Sequence, residues 1–376
     1  MTGPLLDRVR MRLAARPGEL GLTSELVLDQ AGLAELSDEL QAELLGAGPL
    51  EPLLAEPGVT DVLVNAPDRV YLDRGRGLEL VPVELESAEA IRRLATRLAA
   101  QAGRRLDDAQ PFVDAVLPDG TRLHAILPPL VGCPTVSLRV LGRRRLSLFQ
   151  LVELDALPEP VADLLTAVVR ARLSVLISGG TGAGKTSLLA ALLGLVEPRE
   201  RILTIEDAPE LAIDHPHVVS LLARGANLEL AGEVGLIELV RQALRMRADR
   251  LVVGEFRGSE IVELLAALNT GHAGGAATVH ANSVRDVPAR LIALAALAGM
   301  SADTLLAQAA SALDVLVHVR RGPDGVRRVD QIALWQRAIG AAPALVWTAS
   351  AGLGIAAPEL RDRLLQAGVP LPELLR

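Results

Sequence analysis

Residues 174–188 read SVLISGGTGAGKTSL, and the fold of the chain is decided there. Leu173 and then Val175, Leu176 and Ile177 form a short apolar run of the kind that makes a buried strand. GGTGAGKT, residues 179–186, follows and fits the pattern G-x-x-x-x-G-K-[ST]. Ser187 to Leu193 (SLLAALL) reads as a helix that stops near Pro198. Strand, glycine loop and helix in this order are the context the pattern requires. Phosphate oxygens need backbone N–H groups aimed inward, and side chains would block the approach, hence the glycines. The start of the helix adds partial positive charge. Gly179, Gly180, Thr181, Gly182, Ala183, Gly184, Lys185, Thr186 and Ser187 are therefore expected to bind the phosphates of a nucleotide such as ATP. Lys185 reaches the β- and γ-phosphates in this reading, and the Thr186 hydroxyl ligates Mg²⁺.

Composition supports this assignment. The chain has 38 basic residues, and Lys185 is its only lysine, so 38 − 1 = 37 are arginines. A sequence that uses arginine everywhere else keeps a lysine here, because a compact ammonium on a thin stem fits a tight loop and a planar guanidinium does not. The length, 376 residues, suggests about two domains. Half of the chain is hydrophobic but only 2% is aromatic, so the core is made of Leu, Val, Ile and Ala. The net charge of −8 argues against broad nucleic-acid binding. The single Cys133 excludes an intramolecular disulfide and a multi-cysteine zinc site, and a reducing cytosol fits. The opening MTGPLLDRVRMRL has no signal-peptide core. Residues 338–357 are uncharged but broken by Gly340, Pro343, Gly352 and Gly354, and read as strand and loop rather than a membrane span. Any membrane contact is then indirect.

Residues 1–45 read as amphipathic helices broken near Arg16-Pro17-Gly18. Strands are expected at Val59–Val64, Val70–Leu72, Phe112–Leu117, Thr121–Leu127 and Thr135–Leu141, the third and fourth joined as a hairpin through Pro118-Asp119-Gly120. Residues 88–100 carry Ile91, Leu94, Ala95, Leu98 and Ala99 at helical spacing, with Ser87 as N-cap. This first part, residues 1–142, reads as a small α+β domain. Gly142 to Arg145 is the best linker. From residue 143 on, a helix at 161–172 leads into strands at Leu173–Ser178, Arg201–Ile205, Leu251–Val253, Ala276–His280 and Val315–Val319, separated by helices, as in a parallel sheet wrapped on both faces.

In such sheets ligands lie beyond the carboxyl ends of the strands. RILTIEDAPEL puts Glu206 and Asp207 at one such end, and RADRLVVGEFRG puts Glu255 at another. Each acid has an alternative reading as a helix cap. With the phosphate loop in the same chain, a role at the site is favoured: metal binding for Glu206 and Glu255, and handling of the attacking water. NTGHAGGAATVHANS, residues 269–283, sets His272 in a glycine-rich turn and His280 at a strand end; their spacing is wrong for a metal pair, and a γ-phosphate sensor is the better reading.

The order GGTGAGKT, RILTIEDAPEL, LRMRADRLVVGE, TGHAGGAATVHAN resembles the secretion and pilus assembly ATPase superfamily, in which these segments are the Walker A, Asp box, Walker B and His box. The segments GAGPLEPLLAEPGVTDVLVNAPDRVYLDR and RRLDDAQPFVDAVLPDGTRLHAILPPL are most similar to the Tad/Flp pilus branch, including its conjugal-transfer-associated members; the resemblance covers about residues 44–320. It implies a RecA-like motor domain behind a smaller N-terminal α+β domain, a flexible linker near 142–150, a homohexamer and an inner-membrane platform protein as partner. It also implies a cytoplasmic location, peripheral at the inner face of the membrane. Carried residue by residue, it makes Glu206 the Asp-box acid, Glu255 the general base or water positioner, His272 the residue near the γ-phosphate, and Arg122 and Arg139 the N-terminal arginines that neutralise charge on the phosphoryl group. The chain departs from the pattern in three ways. Ala248 stands where proline is common, the tetracysteine motif of type II members is absent, and the C-terminal motif of the retraction ATPases is not evident. Two other readings stay open: a nucleic-acid translocase, against which charge and aromatic scarcity weigh, and a nucleotide-binding scaffold without turnover.

Overall fold

The computed structural model of the chain describes residues 46–75, 77–140, 145–225, 232–271, 273–338 and 340–376. The helices expected in residues 1–45, most of the linker 142–145, and His272 lie outside these residues. The chain divides into two compact units, Met1–Ala55 and Glu56–Arg376. In the first unit, the described residues form a turn of 3-10 helix (Gly48–Leu50) and the helix Glu51–Ala55, with Ala47 N donating to Glu51 Oε2 at 2.7 Å.

The second unit holds two sheets. The first has six antiparallel strands: β1 (Asp61–Ala66), β2 (Arg69–Asp73), β3 (Leu78–Val81), β4 (Phe112–Val116), β5 (Arg122–Ile126) and β6 (Thr135–Arg139), in the order β3-β2-β1-β6-β5-β4. The burial patterns alternate in β1, β2, β4, β5 and β6. One face therefore buries Val62, Val64, Leu72, Leu123 and Leu138. The helix Ala88–Gln101 buries Ile91, Leu94, Ala95, Leu98 and Ala99, and it starts where Ser87 accepts from Ala90 N at 3.2 Å. Each such Leu or Ile contributes roughly 1.5–3 kcal/mol by leaving water.

The second sheet has nine strands. They are β7 (Val175–Gly179), β8 (Ile202–Glu206), β9 (Val218–Leu222), β10 (Arg250–Phe256), β11 (Ala276–Val279), β12 (Val315–Arg321), β13 (Arg327–Leu334), β14 (Ala344–Thr348) and β15 (Gly352–Leu353), ordered β15-β14-β13-β12-β7-β11-β10-β8-β9. The six from β12 to β9 are mutually parallel, and β13, β14 and β15 extend the sheet in antiparallel fashion. Both faces are covered, so β7 buries every residue: Val175 and Ile177 pack into one core, Leu176 into the other. Past its first three residues the phosphate-loop helix Lys185–Leu193 is apolar all round because it lies inside the first of these cores, with the helices Glu159–Arg170 and Ala357–Gln366. The helices Leu236–Ala243, Glu260–Leu268, Val287–Ala296 and Ala302–Ala312 cover the other face.

Every strand expected from the sequence forms, within two or three residues of its expected ends. Five more form that the sequence pattern does not announce: β3, β9, β13, β14 as a defined strand, and β15. β3, β9 and β15 are edge strands and β13 and β14 are the next two inward from β15, and their pairing partners supply the order that local pattern does not. Residues 148–150, at the end of the span expected to be a linker, are helical; Ser147 and Gln150 cap the helix Leu148–Glu153 reciprocally. Among the described residues no helix is long and apolar enough to cross a membrane.

Candidate functional site

Because β7, β8, β10 and β11 are parallel, their carboxyl ends share one edge of the sheet. Gly179 ends β7, Glu206 ends β8, Glu255 lies one residue from the end of β10, and His280 follows β11. Residues from four distant stretches meet there through topology alone.

Residues 180–184 turn between β7 and the helix Lys185–Leu193, whose N-cap is Gly184 at φ +96°, a left-handed conformation that disfavours any side chain. Lys185 is only 6% exposed. Its Nζ donates to Gly179 O at 3.2 Å and to Gly180 O at 3.1 Å, and lies 3.2 Å from His280 Nδ1. Burial pulls its pKa down, while Glu255 and Glu210 pull it up. A buried ammonium with neutral acceptors for hydrogen-bond partners is well matched to an incoming anion. Thr186 Oγ1 faces Glu210 Oε2 at 3.4 Å.

Glu206 is 3% exposed. Its Oε1 accepts from Glu210 N at 3.1 Å and Leu211 N at 2.9 Å, but its Oε2 is buried with no hydrogen-bond partner. Burial pushes its pKa up to about 7, against the two backbone hydrogen bonds. Gly254 on β10 makes room for it, since a Cβ there would lie 2.9 Å from Glu206 Cγ. Glu255 is approached by His280 Nε2 at 2.7 Å from Oε1 and by Arg257 Nη2 at 3.5 Å from Oε2; Oε1 makes no well-directed hydrogen bond. Asp207 is pushed up by burial, opposed by Arg257.

Several of these groups line a cleft that opens to solvent: Thr186, Glu206, Asp207, Ala208, Glu210, Gly254, Glu255 and Arg257, with Arg122 from the six-stranded sheet. Arg122 is fixed by a two-pronged bond to Asp114, Nε–Oδ1 at 3.1 Å and Nη2–Oδ2 at 2.8 Å, which raises its pKa. Arg139 lies directly across the β5–β6 ladder from Arg122, but its Nε is bound to Asp61 Oδ1 at 2.8 Å, its side chain is 51% exposed, and it does not line the cleft. Four carboxylates face two guanidiniums in this cleft, so its local charge is negative and suits a divalent cation. Among the described residues, no group of three or more His, Cys, Asp or Glu has the arrangement of an all-protein metal cage.

The sequence singles out Lys185, Thr186, Glu206, Glu255 and Arg122, and the fold brings them together. It does not assign Arg257 or Glu210. Arg257 stands two residues after Glu255, on the same side of an extended chain, and that period-2 spacing is the available signal. The sequence reads His280 only alongside His272, yet it bridges Lys185 and Glu255. His318, to which the sequence gives no role, is buried, sits 3.0 Å from Ser178 Oγ through Nδ1, and has its pKa lowered by burial, as a structural residue would.

Residues 43–327 match the family model described as "Type II/IV secretion system protein". A putative conjugal transfer protein of Mycobacterium tuberculosis is 54% identical over 333 residues, spanning 86% of this chain and 95% of that protein. The type IV secretion system protein PtlH of Bordetella pertussis is 32% identical over 317 residues, spanning 77% and 93%. Among solved structures, the pilus retraction motor PilT with bound ADP matches 84% of this chain and 86% of its own at a TM-score of 0.54 and 20% identity, a likeness of fold. The nine-stranded part is accordingly a RecA-like P-loop domain, and a smaller α+β domain precedes it. On the family match and the two relatives, the chain belongs to the type II/IV secretion system protein family.

Proposed function

We propose that the chain is a Mg²⁺-dependent ATPase that powers assembly of a Tad/Flp-type pilus or a related secretion machine. It works as a homohexamer through an inner-membrane platform protein, at the cytoplasmic face of the membrane. The observation that carries the reading is the convergence of Lys185, Thr186, Glu206, Glu255 and Arg122 on one edge of the parallel sheet. The names of the relatives, conjugal transfer and type IV secretion proteins, and the ADP in the PilT structure agree with it.

In this mechanism residues 179–187 cradle the triphosphate and Lys185 neutralises its β- and γ-oxygens. The donor set fits a magnesium ion. Glu206 Oε2 is an orphaned buried oxygen, Thr186 offers a hydroxyl, and an ion that keeps much of its shell as water and phosphate oxygen needs few protein ligands. Thr186, Glu206 and Glu255 would hold it, directly or through water, and when bound it supplies charge neutralisation at the phosphates. Glu255 takes a proton from water as the water oxygen bonds to the γ-phosphorus. The bond from that phosphorus to the bridging oxygen breaks, and ADP and phosphate leave. Arg257 and His280 hold the Glu255 carboxylate in place for this step. Arg122 stabilises charge on the transferring group, with Arg139 behind it on the same ladder and His272 near the γ-phosphate. Residues 1–142 and 143–376 act as the two moving parts, hinged within 142–150, and closure around the ring does work on the platform protein.

Steady-state phosphate release tests the assignment. Lys185→Ala and Glu255→Gln are each expected to reduce turnover by at least about 100-fold, on the scale of losing a transition-state contact. Full turnover in either variant would overturn the role assigned to that residue.

A further inference from the structure

The hairpin β12–β13 overhangs the phosphate loop. Val319 of β12 pairs with Gly179, and two residues further on Arg321 faces Arg327 across the hairpin. From there Arg327 reaches back over the loop. Its Nε donates to Gly182 O at 2.8 Å, and its Cδ lies 3.2 Å from where a Cβ on Gly184 would be. Arg327 is an exposed residue, and partial desolvation of its guanidinium lowers its pKa, with Arg321 adding to the effect. Among the described residues it makes no ion pair with a carboxylate. The neighbouring guanidinium Arg321 donates to Gly75 O at 2.7 Å, in the turn between β2 and β3, so the hairpin is anchored on its far side.

The Gly182 carbonyl is an informative atom for a guanidinium to hold. A trans peptide is planar, with C=O and the next N–H pointing in opposite directions. Drawing Gly182 O outward to Arg327 turns Ala183 N–H into the loop, where it donates to Gly180 O at a long 3.3 Å. That N–H is one of the inward donors a phosphate would take over. We propose that Arg327 is a positioning residue for the phosphate loop, holding the Gly182–Ala183 peptide with its N–H turned inward. The proposal rests on residues 179–187 being the nucleotide's phosphate site.

The test uses the full chain and calorimetric titration with Mg-ADP, after the melting temperature of each variant has been compared with wild type without nucleotide. Arg327→Met keeps the packing over Gly184 and removes the donor, and is expected to weaken ADP binding about tenfold, the size of one lost charge-assisted hydrogen bond. In turnover it is expected to raise KM while kcat stays within about twofold, the pattern of lost binding energy common to ground and transition states. Hydrogen exchange is expected to accelerate in the peptide spanning 179–186 and not elsewhere. Arg327→Lys, which keeps charge and a donor, is expected to restore most of the affinity. Arg328→Met is the control, since Arg328 is bound to Asp155 and Asp324 instead. Should Arg327→Met melt well below wild type, Arg327→Gln takes its place under the same criteria. Wild-type affinity and exchange in the Met or Gln variant overturn the positioning role alone. A wild-type chain that binds no ADP overturns the phosphate-site reading and this inference with it.

Discussion

Glu206 gives the sharpest test of the electrostatics, because its burial leaves a pH signature. In the folded chain its pKa rises from an ordinary 4.5 to about 7, chiefly through burial. A raised carboxyl pKa means the folded state binds more protons than the unfolded state between those values, so stability falls as pH rises through the window. The cost is small at pH 5, where the folded carboxyl is still protonated, and complete above about pH 7.5. Two and a half units correspond to about 3.4 kcal/mol in full, of which roughly 2.5 kcal/mol develops between pH 5 and pH 8. Glu206→Gln carries no charge at either pH, and its amide oxygen can still accept from Glu210 N and Leu211 N. Urea denaturation of both proteins at pH 5 and pH 8, without nucleotide or magnesium, isolates the effect, because other titrating groups largely cancel in the difference. The variant is expected to gain about 2–3 kcal/mol on wild type on going from pH 5 to pH 8. A stability difference that is flat across this range, or that grows in the opposite direction, would refute the burial argument. Turnover should move the other way: the same variant loses a carboxylate proposed to serve the metal.

The two N-terminal arginines are expected to part company. Arg122→Ala removes a cation already in the cleft and should lower kcat by about 100-fold or more with KM little changed, whereas Arg139→Ala, held on Asp61, should cost no more than about tenfold; the reverse ranking in a steady-state assay would mean that Asp61 is not its working partner. Arg250 is buried at the opposite end of the same sheet, with Nε 2.7 Å from Glu200 Oε2 and Nη2 on Val169 O at 3.1 Å. Arg250→Ala leaves Glu200 half-uncompensated and should destabilise the chain by about 3–5 kcal/mol in a denaturant melt, an effect no larger than 1 kcal/mol counting against it.

Much of this protein was legible in the order of its residues. The strand–loop–helix at 174–193 could be read because a phosphate cradle demands glycine and one lysine at fixed spacing, which are local requirements. Acids at the ends of β8 and β10 followed from the rule that a parallel sheet collects its ligands at one edge, so Glu206 and Glu255 could be named without coordinates. The alternating β1, β2, β4, β5 and β6 and the helix at 88–101 were visible because one face of each is buried. Tertiary structure alone decided the rest. The edge strands β3 and β9, and β13 between β12 and β14, are ordered by pairing with a neighbouring strand rather than by their own pattern. His280 became a bridge between Lys185 and Glu255 only when β11 was laid between β7 and β10. Arg122 and Arg139 are equivalent in the sequence, and what separates them is which carboxylate each meets across the sheet. Arg327 stands 145 residues from the loop carbonyl it holds, a proximity created by an antiparallel return that no local spacing encodes.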